Sequence, residues 1–157
     1  IFISDSDAQH DPKDFFKLYK GMGENDLVIG WKQKRHDPLF RVVISYLNSL
    51  FTNYLFGTKF HDANCGFRIY KKKVVDSLVN KVNILPFSGN LEFAIRAFRM
   101  GFRVKEVIIT HYPRTNRSGF FTPKKIPRMA LLHFKALLRL RKELTCPIST
   151  QISTVIL

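Results

Sequence analysis

Apolar and polar positions along this chain switch repeatedly between strand-like and helix-like spacing. The run Ile1-Phe2-Ile3 is short, apolar and rich in β-formers, and it gives way at once to Asp5-Ser6-Asp7, a buried strand delivering a polar turn. Asp11-Pro12 then sets an N-cap before a proline at the first helical position. Phe15, Leu18 and Tyr19 share one face of the helix that follows, which stops near Gly21. Residues 27–30 form a second short buried strand. Asp37-Pro38 repeats the capping device and opens a long helix to about Phe56, closed by Gly57. On that helix Arg41, Ser45, Asn48 and Thr52 recur every three or four residues, a single polar stripe on an otherwise apolar cylinder. Residues 67–70 and 104–112 read as strands, and 72–82 and 90–100 as helices, the latter stopped by Gly101. Residues 123–144 predict one further helix, with Pro127 as a place for a bend. The alternation predicts an α/β domain with a largely parallel sheet and flanking helices.

Composition refines this picture in one respect. The 157 residues carry a net charge of +14, and the charge is unevenly placed. Asp5, Asp7, Asp11, Asp14, Glu24 and Asp26 are half of the twelve acids, whereas from Arg96 to Lys142 the bases face a single acid, Glu106. A basic C-terminal half implies an anionic partner: a nucleotide diphosphate, a lipid phosphate, an anionic membrane surface or nucleic acid. Two cysteines, Cys65 and Cys146, make no disulfide framework and fit a reducing compartment. Cys65 reads as a small buried hydrophobe. No stretch reaches the roughly 18 apolar residues of a membrane span. The chain opens on a strand with no initiator Met and no signal-peptide pattern, which predicts a piece of a longer reading frame.

The densest chemistry lies at the end of the first strand. Two carboxylates one residue apart at a strand terminus, Asp5 and Asp7, can converge on one divalent cation. Hard oxygen ligands of this kind suit Mg²⁺ or Mn²⁺ shared with substrate phosphates. A plain acidic turn is the alternative. Farther on, Arg41 and Ser45 sit one turn apart on a helix and suit a phosphate, as a planar donor fork beside a hydroxyl. Asp62 and Glu92 are either functional carboxylates or the partners of Arg68 and Arg96 in bracing the fold.

In order, the chain reads DSDAQHDP, VIGWK, Arg41 and Ser45 with three residues between them, DANCGFRIY, Glu92 on a helix, and HYPRTNRSGFF. This succession, from residue 1 to about 140, resembles the family-two glycosyltransferases of GT-A fold, and most of all the polyprenyl-phosphate sugar transferases of the dolichol-phosphate mannose synthase type. The resemblance implies a Rossmann-like domain whose N-terminal nucleotide-binding half is missing here, with residues 1–122 as the acceptor half, 123–144 as an appended helix and 145–157 as a tail. It implies an inverting, metal-dependent transfer of sugar from a GDP- or UDP-sugar to a polyprenyl phosphate at the cytoplasmic face of a membrane. Asp5, Asp7 and Gln9 would then hold the metal on the donor diphosphate, and His10 would orient the loop. Lys32, Arg41, Ser45, Arg114 and Arg117 would bind the acceptor phosphate, with Asp62 and Arg114 as the catalytic pair. Lys32 departs from the arginine that this branch often carries, losing the bidentate fork. Arg117 departs from a usual glycine.

Two rival readings remain at this level. A transferase acting on a sugar hydroxyl would need a general base, for which Asp62 is the nominee. A nucleic-acid-binding module would draw on the charge and on Phe120-Phe121 beside Lys124 and Lys125, although no helix-turn-helix, zinc or RNP pattern is present. Over 123–142, Arg128, Lys135, Arg139 and Lys142 fall within a narrow arc, opposite Met129, Ala130, Leu132, Phe134, Ala136, Leu137 and Leu140, with Leu131 and Leu138 widening the apolar side. A basic amphipathic helix of this kind suits a membrane interface.

Overall fold

The computed structural model describes residues 1–34, 38–113 and 126–145. Four strands, β1 (Phe2–Ile3), β2 (Leu27–Trp31), β3 (Arg68–Tyr70) and β4 (Val104–Ile108), form one sheet in the order β1-β3-β2-β4. Around it lie α1 (Phe15–Met22, entered through a 3₁₀ turn, Pro12–Asp14), α2 (Leu39–Phe56), α3 (Lys72–Leu78), α4 (Gly89–Arg99) and α5 (Ile126–Thr145). Asp11 caps the first turn by accepting from the Lys13 amide. Gly57 closes α2 in the left-handed conformation, φ 67°, that a glycine adopts without Cβ strain. The described part of the last helix begins at Ile126 and includes Pro127. Asp37, the expected cap of α2, lies outside the described residues.

The sheet is mixed rather than largely parallel. β2 and β4 pair in parallel, with Leu27 opposite Val104 and Trp31 opposite Ile108, but β3 runs antiparallel to both β1 and β2. The reason lies in the connection. A parallel neighbour requires the chain to cross back to the starting end of the sheet. Here α2 does not lie across the sheet; its buried residues are Thr52, Leu55 and Phe56, near its C-terminal end. The chain therefore re-enters at the end it left, and β3 runs back along β2.

The core holds Leu18, Leu27, Ile29, Phe67, Leu78 and Ile95, with Leu137 and Leu140 of α5 among the fully buried side chains. α1 packs so closely on β2 and β4 that a Cβ on Gly21 would lie 3.1 Å from Val107 and 3.2 Å from Val28. Buried Glu92 accepts from the amides of Asn83, Ile84 and Leu85 and from Arg96 Nε at 2.9 Å, and Arg96 reaches Glu143 of α5 at 2.8 Å. Glu92 and Arg96 are thus the fold brace that the sequence offered as one of two possibilities.

Candidate active site

The strands that share a direction, β1, β2 and β4, end at the same side of the sheet where antiparallel β3 begins. Crevices outside such strand ends are the usual ligand positions of α/β sheets. Four segments gather there: 4–11 after β1, Lys32 after β2, 61–67 before β3, and 109–112 after β4.

The first segment is a tight turn. Ala8 holds φ 55°, a left-handed conformation rare outside glycine, and re-aims the chain between Asp7 and Gln9. The Gln9 amide donates to Asp7 Oδ1 at 3.3 Å. Gln9 itself is buried, with Nε2 donating to the Tyr112 carbonyl at 3.1 Å and its own carbonyl accepting from the Tyr112 amide at 2.8 Å. His10 bridges to His111, packs its ring 5.1 Å from Phe67, and approaches Asp5 with Nε2 4.0 Å from Oδ2. Burial, with Lys32 nearby, lowers its pKa. Tyr112 also donates its hydroxyl to Asp11 at 2.9 Å. The turn is therefore sewn to the segment that leads directly into Arg114.

Asp5 is half-exposed, 51% for its side chain, and its carboxylate lies against Gly66 so closely that a Cβ there would overlap it. Glycine at 66 is what lets the two loops meet. Asp5 and Asp7 thus present two carboxylates at one strand end, a donor set that fits Mg²⁺ or Mn²⁺ when phosphate and water complete the octahedral shell. Among the described residues no three His, Cys, Asp or Glu side chains cluster tightly enough to hold a metal unaided. Gln9 would add its carbonyl oxygen, since its amide nitrogen is committed to Tyr112.

Behind this turn lies a buried ion pair, Lys32 Nζ to Asp62 Oδ2 at 3.3 Å. Asp62 does not pair with Arg68, contrary to the bracing alternative. Arg68 is fully buried, and its guanidinium donates instead to carbonyls: Nε to Cys65 at 2.7 Å, Nη2 to Ala63 at 2.9 Å and again to Cys65, and Nη1 to Asn90 at 2.9 Å. A chain folded into the DANCG turn directs these carbonyls inward, and a five-donor planar group suits them. Burial raises the pKa of the Cys65 thiol, as expected of a small core residue.

The polar stripe of α2 is real and faces inward. Thr52 is buried, and Asn48 accepts from His133 Nε2 of α5 at 3.0 Å, burial having lowered the pKa of that imidazole. Ser49, beside the stripe, donates to the His61 carbonyl at 3.3 Å, which ties α2 to the loop carrying Asp62. Arg41 Nε is enclosed without a hydrogen-bond partner among the described residues. Arg114 and Arg117, the remaining expected site residues, lie outside the described residues. Sequence reasoning gave no role to Glu106, whose carboxylate accepts from the backbone amides of His61 and Asp62. Its signal was its isolation: the one acid in a long basic stretch, placed inside a strand.

No family model matches the chain. Curated proteins do. It is 31% identical over 121 residues to dodecaprenyl-phosphate galacturonate synthase of Rhizobium johnstonii, across 73% of this chain and 34% of that protein. The polyprenol monophosphomannose synthase of Mycolicibacterium smegmatis is 28% identical over 117 residues, covering 70% of this chain and 44% of its own length. The undecaprenyl-phosphate mannosyltransferase of Micrococcus luteus is 26% identical over 116 residues, with coverages of 70% and 48%. The chain is a homologue of the polyprenyl-phosphate sugar synthases. It spans between a third and a half of the length of these curated relatives.

Proposed function

We propose that this chain supplies the acceptor side of a GT-A glycosyltransferase that moves a sugar, with inversion, from a nucleotide-diphosphate donor to a polyprenyl phosphate. The observation that carries the reading is the meeting of Asp5, seated on Gly66, with the buried Lys32–Asp62 pair at one sheet end, in a chain homologous to synthases of that kind. A phosphate-monoester oxygen of the acceptor attacks the anomeric carbon, the new C–O bond forms as the bond to the diphosphate breaks, and the electron pair leaves with the diphosphate. A divalent cation on Asp5 and Asp7 would supply charge for that leaving group. The acceptor oxygen is already ionised, so the protein's task is to bring two anions together rather than to remove a proton.

Lys32, Arg41 and Ser45 are suited to the acceptor phosphate, with Arg114 and Arg117 completing the basic set. Arg41 Nε, enclosed yet unpartnered among the described residues, is the kind of buried donor that calls for an anion. Asp62, bound to Lys32, orients the ammonium. That same ion pair occupies one carboxylate oxygen of Asp62 with a cation 3.3 Å away, where a hydroxyl acceptor would need it facing the attacking oxygen.

Support for a membrane interface comes from two helices. Among the described residues, no helix is long and apolar enough to cross a membrane. Yet α2 turns Leu39, Val43, Tyr46, Leu50 and Tyr54 outward, and α5 exposes Leu131, Phe134 and Leu138 beside the basic Lys135, Arg139 and Lys142. Apolar rows flanked by lysine and arginine suit the headgroup region of an anionic leaflet, here the cytoplasmic one.

Calorimetric titration of GDP and UDP into the full-length protein, with and without Mn²⁺, tests the metal. Asp5→Ala and Asp7→Ala should each abolish the divalent-dependent part of binding while the protein stays folded, since Asp5 is half-exposed and Asp7 lies in the same turn. Unchanged Mn²⁺-dependent binding in both variants refutes the assignment.

A further inference from the structure

The loop 61–66 carries Asp62 at one end and the glycine seat of Asp5 at the other, so its position fixes both halves of the site. Its backbone is held at both ends by charged side chains from elsewhere. At the entrance, Glu106 of β4 takes the amides of two successive residues, Asp62 N at 2.7 Å and His61 N at 2.8 Å. The same carboxylate accepts from His61 Nδ1 at 2.9 Å. At the exit, Arg68 collects the carbonyls of Ala63 and Cys65, while the Cys65 amide closes the turn on the Asp62 carbonyl at 3.0 Å. An anion thus meets the loop's exposed N–H groups and a cation its exposed C=O groups, the arrangement that matches the direction of the backbone dipoles.

A second contact keeps the loop in register with β2. The His61 ring stacks on Trp31, centroids 4.1 Å apart and planes inclined by 21°. Two consecutive residues, Trp31 and Lys32, therefore meet two consecutive residues, His61 and Asp62, ring on ring and charge on charge. Glu106 holds both members of the second pair. The Glu106 side chain is about nine-tenths buried, so the carboxylate is anchored in the fold while the His61 side chain it meets lies at the surface.

We propose that Glu106 is a positioning residue of the transfer reaction: it fixes the entrance of the loop so that the Asp62 carboxylate stays on Lys32, while Arg68 holds the end that carries Gly66. The proposal rests on the reading in which Asp62 and Lys32 serve transfer to a phosphate acceptor. Glu106 touches neither substrate; it acts through the backbone of residues 61 and 62. Glu106→Gln keeps the shape but replaces one acceptor oxygen with an amide group that faces donors.

The test compares wild type, Glu106→Gln, Asp62→Asn and the double variant in the full-length protein. It measures transfer kinetics together with hydrogen exchange at individual amides. Exchange at the His61 and Asp62 amides should quicken in Glu106→Gln by about tenfold or more while the β2 and β4 amides keep their protection. The kcat should fall roughly ten- to a hundredfold, the loss expected of a displaced reactive group, with KM for the nucleotide sugar little changed. The double variant should be no slower than Asp62→Asn alone, because residues that act through one another are not additive. Unchanged exchange at those two amides overturns the clamp, and fully additive losses overturn the action through Asp62. If Asp62→Asn transfers at the wild-type rate, the role given to Asp62 under the proposed function fails, and the catalytic half of this proposal with it. Exchange still judges the clamp in that case, so the two failures are distinguishable.

Discussion

Gly66→Ala separates folding from function at this site. A methyl group at residue 66 would overlap the Asp5 carboxylate, its Cγ and both oxygens being the nearest atoms. The backbone at Gly66 does not require the left-handed conformation, so alanine is tolerated there and stiffens the unfolded chain, a gain of about 0.4–1 kcal/mol. Asp5 can yield, because half of its side chain faces solvent. A forced rotamer change costs about 0.5–1.5 kcal/mol, so the two effects nearly cancel and the melting temperature should hardly move. The site responds differently. A coordinating oxygen must keep its distance to within about 0.2 Å, whereas making room for a methyl group displaces the carboxylate by several times that.

Mn²⁺-dependent binding of GDP or UDP should therefore weaken by about tenfold or more, that is by at least about 1.4 kcal/mol. Differential scanning calorimetry and isothermal titration on the same preparation give both numbers. A useful contrast is Gly30→Ala, whose methyl would sit 2.5 Å from Ile109 Cδ1 and 3.0 Å from the Phe67 carbonyl, inside the core. Overpacking of that kind costs about 1–3 kcal/mol, and it should lower the melting temperature without changing binding per folded molecule. If Gly66→Ala is folded and binds nucleotide with Mn²⁺ as the wild type does, the seat of Asp5 on Gly66 has no part in metal binding and the reasoning fails.

Reversing Arg128, Lys135, Arg139 and Lys142 to glutamate should sharply cut co-sedimentation with anionic vesicles and barely alter it with neutral ones. Each base near an anionic surface contributes about 1 kcal/mol, screened by salt. All four are exposed and the fold should persist; equal sedimentation of variant and wild type would remove α5 from any membrane role. On the acid side, the Lys73 ammonium and the Arg103 amide hold the Asp26 carboxyl down to about 2, from 3.8. A depressed carboxylate pKa stabilises the fold above its unfolded value, and that stability is lost as pH falls through the folded one. Asp26→Asn should thus be less stable than wild type at pH 7 and lose less of its stability between about pH 4 and pH 2; identical pH profiles in urea unfolding would refute it.

The elements that obey local rules were legible in the chain. The strand at 27–30, the helices opened by Pro12 and Pro38, the Gly57 stop and the polar stripe of α2 all appear within a few residues of their expected positions, because caps, glycines and periodicity act over one or two turns. Strand direction was not legible. Arg68-Ile69-Tyr70 would make an equally good parallel strand, and what turns it around is the path of α2, which no residue of β3 records. The same limit applied to the site. Asp5 and Asp7 were readable as a local pair, but the Asp5–Gly66 contact joins residues 61 positions apart, and the Lys32–Asp62 pair joins two loops. Glu106 and Arg68 act chiefly on backbone groups, and backbone amides and carbonyls leave no mark in the sequence.

The α2 helix shows a different limit, since its pattern was read correctly and its orientation was not implied. Segregation of Arg41, Ser45, Asn48 and Thr52 from a continuous apolar surface says that two environments exist, without saying which is water. In a water-soluble domain the apolar side is expected inside. Here the polar stripe faces the protein, where Asn48 meets His133 and neighbouring Ser49 meets the Asp62 loop, and the apolar side faces out, with Tyr54 83% exposed. Exposed apolar area is unfavourable in water by about 25 cal/mol per Å², so a row of this length is stable only if something apolar covers it. The inward stripe also explains why the helix is not simply inverted: turning it over would carry Arg41 out to solvent, break the Asn48–His133 contact and strip the loop of Ser49. An apolar partner on the outside, with the polar stripe beneath, satisfies both faces. A lipid acceptor whose phosphate reaches Lys32, as proposed above, would fit that arrangement, and the fit rests on α2 before any charge on α5 is considered.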